Sequence, residues 1–160
     1  MSVNLQAGDR APAFDLPSDG GGRVSLADYA GAQLVLYFYP KDDTSGCTAE
    51  AQGFDEKLGG FDAAGARILG LSKDSVKSHD KFKAKYGLRF PLASDETGAV
   101  CDAYGVWVEK SMYGRKYMGI ERATFLIDPS GTIRRVWRKV SVPGHVDEVL
   151  AAVKAGGASA

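Results

Sequence analysis

The chain has 160 residues, 44% of them apolar, which fits one domain spanning 1–160 with a sizeable core. Twenty basic and twenty acidic residues cancel to zero, so no basic excess points to nucleic acid and no acidic excess points to a disordered tail. The longest apolar stretches are strand length, far short of a membrane span, and the first ten residues lack the basic region and apolar run of a signal peptide.

In chain order, Ala13-Phe14-Asp15-Leu16 and Val24-Ser25-Leu26 flank the turn cluster Asp19-Gly20-Gly21-Gly22 and predict a hairpin. Ser25 or Asp28 caps a short helical turn over Leu26 to Tyr29. Gln33 to Tyr39 is apolar, β-branched and aromatic, the pattern of a strand buried on both faces, and Pro40 ends it. Thr48 to Leu58 predicts a helix with Ala51, Phe54 and Leu58 near one face, interrupted by Gly59-Gly60. Ala66 to Ser72 reads as a second central strand. Ser75 caps a helix that runs through Tyr86 and is closed by Gly87. Phe90 to Ala93 is a short extended piece, and Glu96 to Tyr104 a short helix closed by Gly105. Trp107, Met112, Tyr113 and Tyr117 fall in a long segment that reads as a packed surface loop. Arg122 to Asp128 and Thr132 to Val140 predict a hairpin around Asp128-Pro129-Ser130-Gly131. Pro143 to Lys154 predicts the last helix, and residues 155–160 a frayed tail. Strands alternating with helices, followed by a hairpin and a helix, give an α/β sandwich with a mixed central sheet.

The chemistry concentrates between Tyr37 and Glu50. A core strand ends, a polar loop follows, and a helix begins at Cys47. A helix start offers unpaired N–H groups and the positive end of the dipole, and both favour thiolate over thiol. Pro40 gives a rigid bend, and Thr44 supplies a hydroxyl for the sulfur or for a substrate oxygen. Cys101, the other cysteine, is distant in sequence. Two separated thiols make neither a disulfide framework nor a zinc cluster, and neither His79 nor His145 is a sequence neighbour of a cysteine. Both histidines read as surface residues outside any catalytic role. The plain reading is a cytoplasmic protein with reduced thiols and neither cofactor nor metal.

The run Pro40-x-x-x-Thr44-x-x-Cys47, with Tyr37-Phe38-Tyr39 before it and Thr48-x-Glu50 after it, resembles the active-site motif of the peroxiredoxins, and of the peroxiredoxin Q (bacterioferritin comigratory protein) subfamily in particular. The resemblance continues through Gly8 to Pro17, Leu69 to Ser72, Phe90 to Asp95, Tyr104 to Trp107 and Glu121 to Asp128. It implies a thioredoxin-like fold with an N-terminal hairpin extension. It also implies a thiol peroxidase that reduces hydrogen peroxide and organic hydroperoxides through a Cys47 sulfenic acid. By the family pattern Thr44 orients the peroxide, Arg122 stabilises the thiolate, and Glu50 helps hold the arginine. On the residues alone, Arg122 reads as a strand arginine with its stem packed on the sheet.

The sequence departs from the subfamily at two places where many members carry a resolving cysteine. Gln52 stands at the first, and the region Lys81 to Lys85 holds none. Cys101 shares a helical face with Val100 and Tyr104, which argues for a buried thiol. A one-Cys enzyme follows, recycled by thioredoxin, glutaredoxin or a small thiol and monomeric or weakly dimeric. A two-Cys cycle with Cys101 as resolver is the alternative, as is a thiol-based redox sensor. A disulfide oxidoreductase needs Cys-x-x-Cys, and Glu50 occupies the second position.

Overall fold

In the computed structural model, which describes residues 4–158, the chain opens with an antiparallel hairpin of β1 (Asp15–Pro17) and β2 (Arg23–Ser25). A 3-10 turn over Asp19–Gly21 lies between them, and a second, Leu26–Tyr29, follows where the Ser25 N–H donates to the Asp28 carboxylate at 2.9 Å. Next come β3 (Gln33–Phe38), α1 (Ser45–Glu56), α2 (Leu58–Ala63), β4 (Ala66–Ser72), α3 (Val76–Tyr86), β5 (Leu92–Ser94) and α4 (Ala99–Ala103). The remainder is β6 (Trp107–Met112), β7 (Arg115–Ile120), β8 (Ala123–Ile127), β9 (Ile133–Trp137) and α5 (His145–Ala158).

The main sheet has five strands in the order β5-β4-β3-β8-β9. Strands β3, β4 and β5 run parallel, while β8 and β9 are antiparallel additions, so the sheet is mixed as expected. Strand β3 is buried along its whole length, and its side chains alternate between two cores. Leu34, Leu36 and Phe38 enter one core with Leu69, Phe125, Tyr104 and Cys101. Val35, Tyr37 and Tyr39 enter the other with Ile68, Leu126, Phe54, Phe82 and Cys47. A strand that fills two cores must be apolar at every position, which is the run read in the sequence. This is the thioredoxin-like fold.

Several elements differ from expectation. Helix α1 starts at Ser45, so Cys47 sits inside the first turn rather than at the entry. Gly59 and Gly60 do not break the chain; they lie within α2, where Phe61 is buried and Gly60 packs against Leu150 of α5. Tertiary packing here overrides weak helix propensity. The segment read as a loop is an antiparallel ribbon of β6 and β7, with Trp107 opposite Ile120 and Met112 opposite Arg115. Its two-residue turn is Tyr113-Gly114, both at positive φ, which suits the twist of a tight hairpin. Helix α5 continues past Ala155 to Ala158, and the last two residues of the expected frayed tail lie outside the described residues.

Ser75 does cap α3, its hydroxyl accepting from the Ser78 N–H at 3.1 Å, and Gly87 closes it at φ 63°. Asp128 shapes the β8–β9 turn, its carboxylate accepting from the Ser130 N–H at 2.8 Å. Among the described residues no helix is long and apolar enough to cross a membrane.

Candidate active site

At the carboxyl end of β3 the chain leaves the sheet at Pro40 and re-enters regular structure at Ser45. Thr44 is extended (φ −97°, ψ 155°), and its carbonyl accepts the first helical bond, from Thr48 N–H at 2.8 Å. The amides of Ser45, Gly46 and Cys47 therefore precede the intrahelical ladder and point out of the helix end. Cys47 lies among them, 1% exposed and packed into the core that holds Tyr37, Ala51 and Phe54.

Arg122, immediately ahead of β8, bridges two groups of α1. One guanidinium nitrogen, Nη2, donates to Cys47 Sγ at 3.4 Å, and the other, Nη1, donates to Glu50 Oε1 at 2.7 Å. Glu50 is three residues beyond Cys47, so the helix presents both on one side. Gly46 gives the guanidinium its path: a Cβ there would stand 3.1 Å from Nη2. Glu50 is 0% exposed, and burial pushes its carboxyl up to about 7 even though Arg122 draws it down. Burial opposes the Arg122 charge, but Glu50 and Cys47 together hold the guanidinium more firmly protonated than usual. Glu50 Oε2 and the hydroxyl of Tyr37 are buried with no hydrogen-bond partner among the described residues. Lys110 of β6 leans toward the same charges. Burial, followed by repulsion from Arg122, draws its ammonium below the usual range, while Cys47 and Glu121 oppose this.

Of the residues that sequence reasoning named, the fold brings Cys47, Glu50 and Arg122 into contact, while Pro40 marks the exit from β3. Thr44 adjoins them, but its hydroxyl donates to the Lys41 carbonyl at 2.9 Å instead of to the sulfur, which leaves the oxygen free to accept. Cys101 is elsewhere. It is fully buried in the opposite core, with its N–H donating to Asp95 Oδ2 at 2.8 Å, and burial, reinforced by Asp95, pushes its thiol far up.

Both histidines contradict the surface reading. His79 is 0% exposed, with Nδ1 2.7 Å from Asp42 Oδ2 and Nε2 2.9 Å from the Ala93 carbonyl. His145 is 3% exposed, shares a 2.8 Å hydrogen bond with the Thr124 hydroxyl and stands edge-on to Phe54 and Trp137. Each lies on the buried stripe of an amphipathic helix, a stripe marked in sequence by Phe82 three residues after His79, and by Val149 and Val153 at intervals of four after His145. Gly46, Lys110 and Asp42 carried no signal of their own.

Among the described residues no group of three or more His, Cys, Asp or Glu is placed to hold a metal ion. A cavity of about 270 Å³ lined by Arg10, Leu26, Tyr29, Leu34, Ile127 and Pro129 lies at the other end of β3 and β8 from Cys47.

Residues 7–136 match the model of the AhpC/TSA family. A putative peroxiredoxin bcp of Coxiella burnetii is 53% identical over 148 residues, covering 92% of this chain and 98% of the relative. Peroxiredoxin Bcp of Xanthomonas campestris is 56% identical over 147 residues, 91% of this chain and 92% of that one. Among solved structures, Xanthomonas campestris peroxiredoxin Q superposes with a TM-score of 0.87 at 51% identity, covering 98% of each chain. A mutant of Xylella fastidiosa PrxQ superposes with a TM-score of 0.91 at 45% identity, covering 96% of this chain and 98% of that one. The chain belongs to the AhpC/TSA family, within its peroxiredoxin Q branch, and is a thiol-dependent peroxidase.

Proposed function

We propose that Cys47 is the peroxidatic nucleophile of a one-Cys cycle. The observation that carries this reading is the Arg122 guanidinium held between Cys47 Sγ and Glu50 at the open end of α1. The guanidinium and the free amides stabilise negative charge on the sulfur, and the same donors face an oxygen that approaches it. The sulfur attacks the nearer peroxide oxygen, the S–O bond forms and the O–O bond breaks. The departing oxygen leaves with the electron pair and takes a proton to give water or an alcohol, and Cys47 becomes a sulfenic acid. Thr44 orients the peroxide by accepting its hydrogen bond, since its own proton is committed to Lys41. Pro40 walls one side of the approach. Organic hydroperoxides fit beside hydrogen peroxide. Structures of a Xanthomonas campestris bacterioferritin comigratory protein concern its alkyl peroxide reduction activity, and the β6–β7 ribbon that leads to Arg122 carries the exposed apolar side chains Met112 and Tyr117.

Recycling falls to an outside thiol. A disulfide needs Cα atoms within about 7 Å, and the five-stranded sheet separates the cores of Cys47 and Cys101. An external thiol, from thioredoxin, glutaredoxin or a small molecule, condenses with the sulfenic acid and releases water. A second thiol then frees Cys47 as an external disulfide forms. We place the enzyme in the cytoplasm as a monomer or weak dimer. Intact mass after one equivalent of peroxide tests the cycle: the expected product has gained one oxygen at Cys47 and is trapped by a sulfenic-acid reagent. Loss of two hydrogens, abolished in Cys101→Ser, would establish a two-Cys cycle instead.

A further inference from the structure

Asp42 fills an unspecified position of the motif and His79 lies outside it, yet the loop that carries the motif hangs from both. Asp42 is buried in the middle of that loop, and its carboxylate receives three groups. Tyr39 Oη donates to Oδ1 at 2.6 Å, Ser78 Oγ to Oδ2 at 2.8 Å, and His79 Nδ1 is 2.7 Å from Oδ2. The Asp42 N–H donates to Asp74 Oδ2 at 2.8 Å, and Ser72 Oγ holds that same oxygen at 2.7 Å. His79 also faces the Ala93 carbonyl through Nε2 at 2.9 Å. A carbonyl oxygen only accepts, and the Asp42 oxygen that faces Nδ1 already accepts the Ser78 hydroxyl, so an acceptor stands before each ring nitrogen. Both ring nitrogens therefore donate, and the ring is an imidazolium. Such a pair survives burial only because every partner is in place.

The next residue repeats the attachment. Asp43 sits in the left-handed region at φ 58°, and its carboxylate takes Lys85 Nζ at 2.8 Å and Tyr86 Oη at 2.6 Å. Two consecutive aspartates thus tie the loop to both ends of α3. One residue later, the Thr44 carbonyl opens α1 and sets the direction of the amides around Cys47.

We propose that Asp42 and His79 are positioning residues for peroxide reduction, their buried pair fixing the Pro40–Thr44 loop and hence the donors that face Cys47. The proposal rests on Cys47 as the nucleophile. Among the described residues the titratable groups facing His79 are Asp42 from the loop, Tyr39 after the end of β3 and Asp74 from the turn before α3; β5 offers the Ala93 carbonyl. Burial works against the imidazolium, but Asp42, Ala93 and Asp74 outweigh it and hold the proton above the usual histidine range. Loss of that proton leaves one ring nitrogen unable to donate and slackens the loop.

The test is the second-order rate constant for Cys47 oxidation by hydrogen peroxide, measured from pH 6 to pH 9.5 beside the His79 ring titration followed by NMR. In the wild type the rate constant is expected to fall on an alkaline limb whose midpoint coincides with the His79 midpoint. In Asp42→Asn, oxidation slows at least fivefold below the melting range and both midpoints move down together. His79 titrating in the wild type with no change in rate would overturn the proposal without need of any variant. So would a folded Asp42→Asn with wild-type rate and pH profile, which marks the pair as structural only. Failure of the underlying reading looks different, because Cys47→Ser would then still consume peroxide.

Discussion

Replacing Arg122 with alanine removes one guanidinium from two partners, and the two losses separate by assay. On the kinetic side, a hydrogen bond from a charged donor contributes about 1.5–3 kcal/mol. At about 1.36 kcal/mol per tenfold, loss of the bond to Cys47 Sγ slows oxidation by about 10- to 150-fold. On the stability side, stripping one partner from a buried ion pair costs about 3–5 kcal/mol when the other charge stays. Glu50 does not stay charged. Its carboxyl already sits at about 7 with Arg122 pulling it down, so without Arg122 it rises further and binds a proton at pH 7. The remaining loss is that of an unpaired neutral polar group, about 1–3 kcal/mol. The variant should therefore fold and react slowly. Stopped-flow peroxide consumption and urea unfolding at pH 7 measure the two sides. Arg122→Lys should fall between, because a single ammonium cannot reach both Sγ and Oε1 as the planar fork does. An unchanged second-order constant in a folded Arg122→Ala would refute the reasoning.

Glu50 should reverse the usual acid behaviour of a paired carboxylate, and Glu50→Gln should abolish that slope. Between pH 4.5 and about 7 the folded protein keeps a proton on Glu50 that the unfolded chain has released, so wild-type stability falls as pH rises through that window, by on the order of 3 kcal/mol. The glutamine does not titrate, and parallel unfolding curves for the two proteins at pH 5 and pH 8 would count against the burial argument. His145 gives the opposite slope. Burial, with a smaller push from Arg122, holds its ring proton down to about 4 against a weak pull from Glu148, so the unfolded chain binds a proton below pH 6.5 that the fold refuses. Wild type should lose about 2 kcal/mol between pH 7.5 and pH 5 from this group, and His145→Gln should not; an equal acid loss in both would remove His145 as the cause.

What could be read from the chain depended on whether the signal was local. The β3 run, the Ser75 cap and the Asp128 turn all lie within a few residues, and each appears where expected; the Pro40–Thr44–Cys47 spacing is equally local. Arg122 comes from the segment just ahead of β8, far along the chain, and its polarity alone reads as a surface arginine; only the resemblance placed it near Cys47. His79 was misread because its neighbours Ser78, Asp80 and Lys81 are polar, while the partners that bury it, Asp42 and Ala93, come from other elements. The β6–β7 ribbon was missed because Glu109, Lys110, Ser111 and Lys116 make both of its faces polar, so the alternation that marks a strand is weak.

The two cysteines show the same limit from another side. The sequence counts them and makes Cys101 apolar in setting, but their relation is decided by the parity of β3. Even-numbered side chains Leu36 and Phe38 pack toward the core of α4 and Cys101, and odd-numbered Tyr37 and Tyr39 toward that of α1 and Cys47. To join the sulfurs, α1 or α4 would have to leave the sheet. On the Cys101 side that also strips Tyr104, whose hydroxyl is tied to the Pro12 carbonyl at 2.6 Å, from its tilted contact with Phe38 and its edge-on contact with Phe125. Dismantling a fully buried aromatic cluster consumes a large part of the 5–15 kcal/mol or so that holds a domain together. An outside thiol needs much less, only passage past Thr44 and the first turn of α1. The layering of the sheet, more than the missing cysteine at Gln52, is what supports the proposal of an external reductant.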